Sequence, residues 1–145
     1  MTKPILKRIS IVVAALMLAA VATAQIREII KILGVGAAVK QFGPDINRAI
    51  NKMVGREDTP SKATKVVPII TIGLNTRGAI GAAQVMGSKQ NVDKVRAVAA
   101  PEADLFGKEI KIRALIPVNS DNITELKDIK PVDGVGVSGI VDLSL

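Results

Sequence analysis

Few side chains in this sequence could do enzyme chemistry, and their spacing decides how to read them. Glu102 and Asp104 are two residues apart, so both carboxylates share a face if the segment is a strand, as a general acid and base would require. Thr59 with Lys62, and Thr124 with Lys127, each set a hydroxyl three residues before an amine, the parts of a Ser/Thr-Lys nucleophile. That chemistry needs a lysine of depressed pKa, and nothing in the flanking residues buries either one. Two acids on one strand face are ordinarily solvated surface. No catalytic residue is assigned, and a carboxylate or Ser/Thr-Lys hydrolase ranks third among the readings of function.

Asn119, Ser120, Asp121, Asn122, Thr124 and Glu125 collect oxygen ligands that suit calcium. The EF-hand order is absent, because Thr124 stands where the loop glycine belongs, so the segment reads as a polar turn. Gly134, Gly136 and Gly139 match G-x-G-x-x-G, but a dinucleotide site needs a helix after the glycines. Here Val135 to Leu145 alternates like a strand, and glycines in a twisted strand explain the pattern. The sequence has no His, Cys, Trp or Tyr and only two Phe, which removes imidazole and thiolate metal sites, haem ligation and stacking platforms for single-stranded nucleic acid. No metal, no cofactor and no nucleic-acid partner are expected. Phe42 and Phe106 are assigned to the core.

The chain opens with Lys3, Lys7 and Arg8, continues with aliphatic Ile9 to Val21, and then presents Ala22-Thr23-Ala24 before Gln25. That order is a secretory signal peptide over residues 1–24, and the apolar run is shorter than the ~20 residues of a bilayer span. The protein is expected to be exported, periplasmic or secreted. The alternative is an uncleaved N-terminal anchor holding the same domain outside the cytoplasmic membrane. The formal charge of +7 includes Lys3, Lys7 and Arg8, so the mature excess is +4. With no cysteine to form disulfides, packing alone must stabilise one domain from Gln25 onward.

The elements that would position a site follow from periodicity. A helix is predicted over 25–42, with Ile26, Ile29, Ile30, Leu33 and Ala37 on one stripe. Gly43-Pro44-Asp45 breaks it, and a second helix carries Ile46, Ile50, Met53 and Val54 to Gly55, completing a helical section over 25–55. Residues 56–65 read as an exposed connector and 66–145 as the β-rich section of the same domain. Val66 to Leu74, apolar on both faces, reads as a central strand; Asn75 to Gly78 supplies a turn, and Ala79 to Met86 returns. Val92 to Ala100 fits helix or strand, with strand preferred. Over Glu109 to Val118, residues Ile110, Ile112, Ala114, Ile116 and Val118 face one way; Gly107-Lys108 suits a type II′ turn before them. On that reading Ile112→Asp unfolds the domain while Lys111→Ala is mild. The fold class is α+β: two N-terminal helices packed on an antiparallel sheet or partial barrel of about five or six strands.

Small residues let another element approach a sheet closely. The first helix and the strand 79–87 therefore define the candidate surface, Ile30, Leu33, Gly81 and Ala83, for apolar-ligand binding or for plain packing. The expected function is a non-enzymatic envelope or secreted binding and structural protein, acting through a surface that meets a protein or cell-envelope component. Carriage of a lipid or other apolar ligand between helix and sheet is the alternative.

Overall fold

The structure, a computed structural model, describes residues 27–30, 34–72, 77–123, 127 and 129–143. The predicted signal peptide 1–24 lies outside the described residues, as do Leu33, Leu74 and the Asn75-Thr76 half of the first predicted turn. Residues 27–30 are helical, and the N–H of Gly34 closes onto the Ile30 carbonyl at 3.0 Å. Helix α1 (Val35–Val54) then starts after Gly34, whose φ of 91° favours glycine.

The expected break at Gly43-Pro44-Asp45 does not occur: α1 runs straight through it. Pro44 removes the N–H that would bond the Lys40 carbonyl, a cost of about 3 kcal/mol in a helix interior. Packing holds both sides together. Val39, Ile46 and Ile50 meet Val66 and Ala82 on the sheet, and each fully buried aliphatic side chain contributes about 1.5–3 kcal/mol. Gly43 is what lets the helix come so close, because a Cβ there would sit 3.0 Å from the Val66 carbonyl oxygen. At the other end the N–H groups of Gly55 and Arg56 close onto the carbonyls of Lys52 and Asn51, a Schellman cap with Gly55 left-handed at φ 68°.

Six strands follow: β1 (Ala63–Ile72), β2 (Arg77–Gly87), β3 (Ala97–Leu105), β4 (Ile110–Arg113), β5 (Ile116–Val118) and β6 (Val135–Val141), with a short helix α2 (Lys89–Val92) between β2 and β3. Their order is β4-β3-β1-β2-β6, with β5 also on β3, and the sheet curls into a half-barrel. The fold is therefore α+β. Every pairing is antiparallel except β1 with β3. β1 starts at Ala63, inside the expected connector, and Arg77 and Gly78 pair in β2 instead of turning. The ambiguous segment divides: Val92 ends α2, and the strand begins at Ala97.

β1 is central and buried on both faces, as its apolar run implied. On one face Val67, Ile69, Ala83, Val85 and Val98 pack with Val92 and Val95. On the other, α1 covers Val66 and Ala82, while Ile123 and Ile129 cover Ile70, Ala97, Ala99 and Val118.

Candidate functional site

The predicted surface residues do not come together. Ala83 and Ala82 are both fully buried, but neighbouring strand residues face opposite ways. Ala82 lies under α1 with Val39 and Val66, whereas Ala83 belongs to the core on the far side of the sheet. Gly81 is placed against β6, where a Cβ would meet the Val141 carbonyl oxygen at 3.0 Å. Ile30 is half-buried, and Leu33 lies outside the described residues. Between α1 and the sheet the side chains meet directly.

Beside that contact lies a polar network that the sequence reading missed. Gln84, 0% exposed, donates from Nε2 to Asn47 Oδ1 and Asn51 Oδ1, both at 2.9 Å, and its Oε1 accepts from Ser138 Oγ at 2.8 Å. Asn47 and Asn51 in turn donate to Thr64 Oγ1 at 3.0 and 2.8 Å, and Thr64 donates to Asp58 at 2.6 Å. Among the described residues no buried side-chain polar atom lacks a partner. The network fixes how α1 sits along the sheet. Its one legible sign was the i, i+4 pair Asn47 and Asn51 beside Ile46 and Ile50.

The residues singled out for chemistry are placed elsewhere. Glu102 and Asp104 do share a face of β3, but Glu102 is held by Arg113, with Nε at 2.8 Å. The Thr59 hydroxyl accepts from the backbone N–H of Lys62 at 3.1 Å, which makes it part of a turn. Asp121 of the oxygen-rich loop pairs with Lys40 of α1, and the N–H of Asn122 bonds Ser120 Oγ. Thr124 and Glu125 lie outside the described residues. Among the described residues no three His, Cys, Asp or Glu side chains are grouped as a metal site would require. Gly136 and Gly139 stand within β6, and Gly134 makes the turn before it at φ 74°.

The strand read over 109–118 is not one covered strand. Its ladder to β3 keeps one register, from Leu105↔Ile110 to Ala97↔Val118, but is interrupted at Ala114-Leu115, beside Pro101. Proline has no N–H to give a ladder. Ile110, Ile112, Ile116 and Val118 share a face as expected, yet only Ile116 and Val118 are covered. Ile112 is 44% exposed and Ile110 46%. The reason is reach: beyond Pro101 the β3–β4 hairpin extends past those described elements that cover the sheet. Its turn is a four-residue loop, 106–109, in place of the two-residue type II′ turn. Phe106 occupies it with φ 52° and 77% exposure, so it is not a core residue; Phe42 is only half-buried. A bulky residue at positive φ is an outlier of the kind that clusters at functional sites.

One hairpin face thus carries Ala103, Leu105, Ile110 and Ile112, with Phe106 at the tip; the other carries Glu102, Asp104, Lys111 and Arg113. β4 is the end of the strand order, so its outer backbone edge has no strand partner among the described residues. Comparison with protein-family models, with curated proteins and with solved structures finds no match.

Proposed function

We propose that this protein is a non-enzymatic binding protein of the cell envelope or extracellular space, and that the β3–β4 hairpin is the surface through which it meets a protein partner. The observation that carries this reading is the exposed apolar row Leu105, Ile110 and Ile112, which ends at β4, an edge without a strand partner among the described residues, and is continued by the ring of Phe106. Export rests on the residue order of the first 24 positions alone.

The charges say what kind of partner fits. Lys111 and Arg113 lie on the polar side of the outer edge, so a strand added beyond β4 is favoured if it places acids opposite them and apolar residues opposite Ile110 and Ile112. A second copy adding its own β4 would set lysine and arginine against lysine and arginine, which disfavours self-pairing. Anionic lipid is disfavoured as well, because Lys108, Lys111 and Arg113 are balanced by Glu102, Asp104 and Glu109. Carriage of an apolar ligand gains no support from the direct contact of Val39 with Val66 and Ala82.

A synthetic peptide alternating valine and glutamate, titrated into the ¹⁵N-labelled protein, tests the reading. The amides of residues 110–113 should shift saturably, and Ile110→Lys should abolish the shifts without altering the melting temperature. Shifts elsewhere only, or equal binding of a valine–lysine peptide, would overturn it.

A further inference from the structure

β3 joins β1 only from Ile69↔Val98 onward, so among the described residues the first half of β1 has β2 on one side and no strand on the other. A cavity of about 390 Å³ opens beside that half of β1, between it, α1 and Arg96 of the segment before β3. Three cations reach it from three parts of the chain: Lys40 from α1, Lys65 from β1, and Arg96 from the segment before β3. Among the described residues Asp121 is the one carboxylate on its wall, and it is paired with Lys40. Pro44, Val66 and Pro68 supply an apolar side.

Three positive groups against one negative leave an excess suited to a dianion. Among the described residues no carboxylate forms an ion pair with Lys65 or Arg96. Lys65 instead donates to the Val95 carbonyl oxygen at 2.7 Å, and the carboxylate that favours its ammonium, Asp93, is ion-paired with Lys89. We propose that this cavity binds a phosphate monoester, with the phosphoryl group held by Lys40, Lys65 and Arg96 and the organic group against Pro44, Val66 and Pro68. Phosphate is preferred over a carboxylate because two negative charges match the excess, and because Arg96 can offer it paired N–H donors. Burial, reinforced by the charge of Arg96, holds the Lys65 ammonium below its ordinary pKa, with Asp93 opposing. A bound dianion would relieve that repulsion. The pocket is separate from the hairpin, and the proposal does not depend on it.

Butyl phosphate is the probe, followed by amide shifts in ¹⁵N-labelled protein and by calorimetry. Binding should saturate with a dissociation constant below about 1 mM, and the shifts should centre on Lys40, Lys65, Arg96 and Asp121. Inorganic phosphate should bind about tenfold more weakly, for want of the apolar group. Arg96→Gln should weaken the ester about tenfold or more, Arg96→Lys less, and Asp121→Asn should tighten it. Lys52→Gln, on the exposed end of α1, should change nothing. Absence of saturation, shifts scattered over the surface, or an equal loss from Lys52→Gln would overturn the site. Inorganic phosphate binding as tightly as the ester would overturn the apolar contact. Should Arg96→Gln fail to fold, the shift map of the unaltered protein decides.

Discussion

Gln84→Met isolates the contribution of the polar network beneath α1. Methionine is close to glutamine in volume and flexibility, so the change leaves little cavity and removes hydrogen bonds in particular. Two bonds of 2.9 Å vanish, leaving Asn47 Oδ1 and Asn51 Oδ1 without their donor, while Ser138 Oγ loses its 2.8 Å acceptor and Arg56 a longer one of 3.4 Å. Ser138 is exposed and can turn to water, so it contributes little. Asn47 and Asn51 are only half-buried, which puts each oxygen below the full penalty of a dry orphan acceptor: about 1–2 kcal/mol apiece, or about 2–4 kcal/mol together. For a domain of this size that corresponds to a fall of about 8–15 °C in Tm. Thermal and urea unfolding followed by circular dichroism would measure it. A double-mutant cycle with Asn51→Ala should show a coupling of about 1 kcal/mol, while one with Lys52→Ala should show none. A Tm change under about 2 °C, or no coupling to Asn51, would refute the view that these bonds hold the helix on the sheet.

The remaining predictions follow from burial, close approach and charge. Val98→Asp should destabilise the domain by more than about 4 kcal/mol, because Val98 is 0% exposed; Ile112→Asp, on the open hairpin, should cost less than about 1 kcal/mol by urea unfolding. Gly43→Ala should destabilise despite alanine's helix preference of about 1 kcal/mol, since the new Cβ would press on a backbone oxygen of a central strand that cannot move aside; a rise in Tm would contradict that packing. The hydrogen bond from Lys40 holds the Asp121 carboxyl below the usual carboxylate range, against partial desolvation and aided by the charges of Lys40 and Arg96. Its stabilising contribution is therefore present above the unfolded-state pKa and is lost as pH falls through the lower folded-state value. Asp121→Asn should flatten the stability profile below about pH 4, and an unchanged acid slope would contradict the pairing.

The sequence by itself determined the fold class, the central strand β1 and the side-chain alternation of the later strands, because a period of two is a local property that survives any packing. It set Ile110, Ile112, Ile116 and Val118 on one face and Gly55 at the end of a helix. Tertiary structure decided which of those faces is covered. Ile116 is packed under Ile129 and its neighbours while Ile112, four residues earlier on the same face, is open, since cover depends on elements distant in sequence. The same reason explains α1. Gly43-Pro44 is a break by local propensity, yet the contacts of Val39, Ile46 and Ile50 with the sheet outweigh it. Placing the helix over Ala82 and Gln84, not over Gly81 and Ala83, was likewise a matter of which face it met. The cavity carried no signal at all, because Lys40, Lys65, Arg96 and Asp121 are ordinary surface residues in sequence and become neighbours only when α1, β1 and the segments holding Arg96 and Asp121 pack together.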